Sequence, residues 1–183
     1  MPELKLTRRA FLSRSVAVGG GLLVGFHLPA ARKLSAEPLA APTGEQPAEV
    51  NAWIVIQPDD SVVIRVARSE MGQGVFTALP MLVAEELGCD WGRVRAEYAS
   101  ANANLQRDNV YGSMSTGGSR SVRGSQEYLR TAGAMTRELL VSAAARRWGV
   151  PAGECQAANS VSTHTASGRT LGFGAVAVEA AGL

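Results

Sequence analysis

Two short segments hold the residue types best suited to meeting a ligand: Met71-Gly72-Gln73-Gly74 and Thr116-Gly117-Gly118-Ser119. Glycine lets a backbone approach a bound group with no side chain between them, and it permits positive φ. Where such a segment leads into a helix, the first amides of that helix are unpaired donors and the dipole leaves partial positive charge there. Helix ends of that kind hold phosphates and related anions. Gln73 adds a carboxamide that donates and accepts at once, which suits the edge of a heterocycle. Ser115, Thr116 and Ser119 add hydroxyls, and Arg120 or Arg123 a fixed positive charge. The same glycines also suit a plain turn between strand and helix, and residue types alone leave both readings open. Neither segment is a P-loop, which needs Lys and Ser/Thr after its last glycine, and neither is a GxGxxG fingerprint.

The elements that must position these segments follow from hydrophobic spacing. The β-branched runs from Trp53 and from Ser61, parted by Pro58-Asp59-Asp60, predict a hairpin. Val75, Leu79, Leu82, Val83 and Leu87 share one helical face, with Gly88 as the stop and Pro80 making the first turn irregular or its start later than Val75. The alternation in Arg93-Val-Arg-Ala-Glu-Tyr98 returns the chain to the sheet. A long irregular stretch over 100–119 follows, rich in Asn, Ser, Gly and Thr, a length of loop that often lines a site. A helix is expected over 121–148, its buried face marked by Leu129, Ala132, Met135, Leu139, Leu140, Ala143, Ala144 and Trp148. A last hairpin around Val161 to Arg169 and a closing helix over 171–181 complete the chain. The expected fold class is α/β in the layered α+β sense, a mixed sheet with helices packed on one face.

The formal charge of +2 conceals an uneven distribution. The first 36 residues carry Lys5, Arg8, Arg9, Arg14, Arg32 and Lys33 against Glu3, and the remainder has 12 basic residues against 15 acidic ones. A nucleic-acid footprint needs basic charge on the folded part, so no nucleic-acid partner is expected. Thr7-Arg8-Arg9-Ala10-Phe11-Leu12 resembles the twin-arginine export signal, followed by a glycine-rich apolar run too short to span a bilayer. Residues 1–36 are therefore read as a signal peptide, 37–50 as a Pro- and Ala-rich linker and 51–183 as the folded part, exported or periplasmic, with no stable membrane span after cleavage. Cys89 and Cys155 lie far apart without a CxxC and read as ordinary thiols. His164 reads as exposed or structural on a surface hairpin. Glu85 and Glu86 point about 100° apart and form a solvated helix edge.

Glu70-Met-Gly-Gln-Gly74, the following AEEL with Asp90-Trp91, and Ser115-Thr-Gly-Gly-Ser119 together resemble the molybdenum hydroxylases of the xanthine and aldehyde oxidase family. The resemblance is to the large subunit of the isoquinoline 1-oxidoreductase beta-subunit type and covers roughly residues 50–175. It implies that Met71, Gly72, Gln73 and Gly74, and then Thr116, Gly117, Gly118 and Ser119, contact a molybdopterin cofactor in its cytosine dinucleotide form. It further implies hydroxylation of an aldehyde or N-heterocycle carbon with oxygen from water, with electrons leaving through a separate [2Fe–2S] small subunit. Family large subunits are several times longer and carry a further cofactor loop and a late glutamate base, which this sequence lacks. The expectation is thus a partial cofactor-binding domain, inactive without the remainder of the large subunit and with no catalytic or metal-ligating residue of its own. The alternative kept open is an exported, non-catalytic α/β interaction module.

Overall fold

The computed structural model describes residues 46–183. The export signal and residues 37–45 of the expected linker lie outside them. Four strands form the first sheet, β1 (Ala48–Asn51), β2 (Ile54–Ile56), β3 (Val62–Val66) and β4 (Val94–Tyr98), in that spatial order. β2 runs antiparallel to both β1 and β3, while β4 lies parallel to β3. The linker was expected to reach residue 50, yet Ala48 already pairs with Ile56. Its apolar side chain, buried in the core cluster, draws the segment onto the sheet.

A parallel partner needs a crossover, and helix α1 (Val75–Leu87) supplies it between β3 and β4. This helix begins at Val75 despite Pro80 inside it. The proline forfeits one backbone bond, and burial of its ring in the core accompanies that loss. Gly88, left-handed at φ 69, ends the helix by donating its amide to the Ala84 carbonyl.

The stretch 100–119 is not wholly irregular. Ser100 caps a short helix α2 (Ala101–Gln106) by accepting from the Ala103 amide at 3.2 Å. Buried Asn104 then closes the following turn, accepting from the Tyr111 amide at 2.7 Å and donating to the Gly112 carbonyl at 3.2 Å. Tyr111 packs edge-on against Trp53, with ring centroids 4.9 Å apart.

Helix α3 (Gln126–Trp148) starts five residues later than the spacing predicts, because 120–125 is spent on successive turns. Its buried face holds Leu129, Ala132, Leu140, Ala143 and Ala144 as expected, but Met135 is 59% exposed. Close to Met135 the helix instead turns Gly133 toward α1, where an added Cβ would lie 2.6 Å from the Val83 carbonyl oxygen. Only glycine allows so near an approach of the two helices.

Three further strands, β5 (Cys155–Ala158), β6 (Val161–His164) and β7 (Thr170–Gly172), form a second, antiparallel sheet rather than joining the first. Helix α4 (Phe173–Ala181) closes the chain, its Gly174 amide donating to Asp60 Oδ1 of the β2–β3 turn at 2.8 Å. His164 is buried, with Nδ1 beside Ser167 Oγ at 2.7 Å and Nε2 beside Glu154 Oε2 at 3.0 Å. It is a structural histidine and not a surface one, because the hairpin folds back toward Trp148.

The core lies between one face of the first sheet and helices α1, α3 and α4. Ile54, Ile56, Val62 and Ile64 meet Leu79, Val83, Leu87, Leu129, Leu140, Phe173 and Val176, all at most 2% exposed. Such side chains contribute roughly 1.5–3 kcal/mol each on burial. The partly exposed ion pairs of Arg65 with Glu49 and Glu97, on the sheet's other face, are worth about 0–1 kcal/mol each. The apolar seam therefore holds the fold, and the ion pairs trim its outer surface. Among the described residues no helix is long and apolar enough to cross a membrane.

Candidate functional site

Both glycine segments follow the C-terminal ends of the two parallel strands. The first runs from β3 into α1, and the second lies beyond β4 and α2. In open α/β sheets this edge is where ligands bind, because loops and helix starts gather there. The two segments touch. Arg68, two residues past β3, donates from Nη1 to the carbonyls of Ser113 and Ser115 and from Nε to buried Ser125 Oγ. The Ser69 amide donates to Thr116 Oγ1 at 2.8 Å. The amide of Glu70 in turn donates to the hydroxyl of Tyr98, the last residue of β4, at 3.3 Å.

The first segment folds around its own carboxylate. Gly72 and Gly74 both take positive φ, 91° and 78°, which turns their amides inward. Glu70 Oε1 accepts from the Gly72 amide at 2.7 Å and the Gly74 amide at 2.9 Å, and Oε2 accepts from the Phe76 amide at 2.9 Å. Those backbone bonds, the Phe76 one foremost, hold the Glu70 carboxyl below the usual glutamate range. Gln73 is also engaged, Oε1 accepting from the Met71 amide at 2.5 Å and Nε2 donating to the Ser69 carbonyl at 2.8 Å. The Gly72, Gly74 and Phe76 amides are therefore not the vacant donors expected: a negative group from the chain itself already holds them. What remains outward is one hydrogen of the Gln73 amide and the Met71 side chain, 71% exposed.

The second segment is open. Among the described residues the amides of Gly117, Gly118 and Ser119 donate to nothing, and all three residues are exposed. Gly118 and Ser119 both have positive φ, 58° and 54°. The segment does not sit on a helix start, since α3 begins only at Gln126, so the dipole of that helix does not serve it. Arg120 supplies the nearby charge instead, its Nε 3.6 Å from where a Cβ on Gly118 would lie. Exposed amides beside a guanidinium suit a ligand rich in oxygen acceptors.

Arg68, Glu70, Asn104 and Tyr111 position the site, and residue types alone did not single them out. The signal available was a carboxylate two residues ahead of the first glycine, a spacing that lets it fold back on the loop amides. Glu85 and Glu86 form no acid–base pair: Glu85 is exposed and Glu86 binds Arg130 of α3. Both cysteines are free thiols, and burial pushes that of Cys89 up to about 11. Among the described residues no group of three or more His, Cys, Asp or Glu side chains is placed to hold a metal ion.

Residues 14–182 match the family model described as a molybdopterin cofactor-binding domain. The chain is 37% identical over 176 residues to isoquinoline 1-oxidoreductase subunit beta of Brevundimonas diminuta, an alignment covering 95% of this chain and 22% of that protein. It is 34% identical over 172 residues to a membrane-bound aldehyde dehydrogenase (pyrroloquinoline-quinone) of Gluconacetobacter polyoxogenes, covering 94% of this chain and 21% of that one. It thus spans about a fifth of the length of the curated relatives it matches. Its fold is similar to part of quinoline 2-oxidoreductase from Pseudomonas putida 86, with a TM-score of 0.52 and 20% identity over 68% of this chain and 15% of that one. A reconstituted CO dehydrogenase from Oligotropha carboxidovorans gives 0.53 and 22% over the same shares, 68% and 15%. The ordered pair of glycine segments, the fold that joins them and the match across nearly the whole sequence place this chain in the molybdopterin cofactor-binding domain family of the molybdenum hydroxylases.

Proposed function

We propose that this chain is the cofactor-binding portion of an exported molybdenum hydroxylase large subunit that hydroxylates an aldehyde or an N-heterocycle carbon with oxygen from water. The observation that carries the reading is the junction of the two glycine segments at the C-terminal ends of β3 and β4, with the Gly117, Gly118 and Ser119 amides open beside Arg120. Those amides fit the acceptor oxygens of a molybdopterin in its cytosine dinucleotide form. The Thr116 hydroxyl, already accepting from the Ser69 amide, keeps its own hydrogen for donation. Met71 offers an apolar contact, and Gln73 one amide hydrogen. Gly72 and Gly74 shape the loop and do not donate to the ligand. When bound, the cofactor supplies two-electron oxidation chemistry, and this chain's part is to hold and orient it.

The small share of each relative that the chain covers supports a partner role for the remainder of a large subunit, without which the chain is inactive. A separate [2Fe–2S] small subunit would take up the electrons, and the Arg8-Arg9 leader would direct the folded assembly to the periplasm. The test is expression with the natural leader in a bacterium that makes the dinucleotide cofactor. Periplasmic material should carry molybdenum, an oxidisable pterin and cytidine monophosphate released on hydrolysis, in equal amounts. Periplasmic protein free of metal and pterin would favour the non-catalytic interaction module instead.

A further inference from the structure

In the proposed site the Glu70 carboxylate is bonded to its own loop and is not offered to a ligand. Glu70 turns back and places both carboxylate oxygens on the amides of its own loop, two donors on Oε1 and one on Oε2. The alternation of positive φ at Gly72 and Gly74 makes those amides converge, as in the backbone concavities that bind anions. Here the anion is covalently attached. It therefore competes at high effective concentration with anything arriving from outside.

We infer that Glu70 is a positioning residue which closes the first loop to external anions and leaves the second loop as the one that takes the cofactor's acceptor oxygens. This rests on the cofactor-binding reading. The charge pattern agrees with it, because a carboxylate at the first loop repels a negatively charged group while Arg120 beside Gly118 attracts one. Glu70 acts through the loop amides and not by touching the reacting atoms. By filling these amides it fixes the turn that leaves Met71 outward and Gln73 braced between the Met71 amide and the Ser69 carbonyl.

The experiment is amide hydrogen exchange on the full 183-residue chain free of cofactor, in wild type, Glu70→Gln and Glu70→Ala. In wild type the Gly72, Gly74 and Phe76 amides should exchange roughly tenfold or more slowly than those of Gly117, Gly118 and Ser119, the expected reach of hydrogen bonds to a charged group. Glu70→Ala should lose that protection at the three amides alone, and added acetate should restore it. Glu70→Gln, which keeps an acceptor without the charge, should fall between the two. Wild-type Gly72 and Gly74 exchanging as fast as Gly117 and Gly118 would overturn the inference, and so would undiminished protection in Glu70→Ala. Should Glu70→Ala lose its far-ultraviolet dichroism, the wild-type pattern and the Glu70→Gln intermediate decide. A chain that shows this pattern but never carries molybdopterin sinks the proposed function and spares the closed loop. One that carries the cofactor with the first-loop amides unprotected does the reverse.

Discussion

In residues 69–76 the amides of Gly72, Gly74 and Phe76 end on Glu70, and the Met71 amide ends on Gln73. In residues 116–119 the amides of Gly117, Gly118 and Ser119 end on nothing among the described residues, while the loop is held from outside by Arg68 and by the Ser69 amide. Two segments of similar composition thus solve opposite problems. The first supplies its own acceptor and is bonded internally without a ligand. The second is anchored through carbonyls and a hydroxyl, so its donors stay exposed. A glycine-rich sequence by itself does not say whether its amides are available, since that depends on whether a neighbouring acceptor can reach them.

The contrast breaks most completely if the helices behind the loops are forced apart. Gly133→Val places a branched side chain where even a Cβ lies 2.6 Å from the Val83 carbonyl oxygen. Overpacking of this kind costs about 3 kcal/mol, more than the roughly 1 kcal/mol that glycine forfeits in a helix. Urea denaturation should show the loss, with both loops affected. Asn104→Ala removes two bonds from a buried side chain to the turn preceding the second loop. About 2 kcal/mol is expected in denaturation, and exchange should quicken around Tyr111 while Gly72 and Gly74 remain protected. Thr116→Val deletes the acceptor for the Ser69 amide and should cost about 1 kcal/mol. Its mark is a loosened junction between the loops.

The smallest effect is on pH. Glu70 titrates below the ordinary glutamate value, so its contribution is complete above about pH 4.3 and is lost as the pH falls through its lowered pKa. Protection of the Gly72 and Gly74 amides should fade in that acid range. The anchor of the second loop should persist, because it is made to carbonyls and a hydroxyl and includes no carboxylate. Equal acid sensitivity in both loops would erase the distinction.

Much of the fold was legible in spacing. The β2–β3 hairpin, α1 to within a residue, β4 and the closing helix α4 follow from alternation, from the stripe Val75-Leu79-Val83-Leu87 and from the Gly88 stop. These are local patterns, in which period and punctuation act on neighbouring residues. The departures share a cause in long-range contact. Residues 48–50 of the first strand resemble linker because their partner lies across a turn, and Met135 fits a core position because helical spacing does not reveal that Gly133 faces α1. The stretch 100–119 resembles an irregular loop because the turn after α2 is closed by a buried asparagine. Its side chain bonds to backbone seven and eight residues on.

The sequence by itself determined the locally patterned elements, the two glycine segments and, through their order and resemblance, the cofactor family. A residue type and its spacing carry that information before any folding. Only the tertiary structure decided which amides are free. Whether Gly72 or Gly118 can still donate depends on where Glu70, Arg68 and Thr116 come to rest, a matter of hydrogen-bond geometry over distances of about 3 Å.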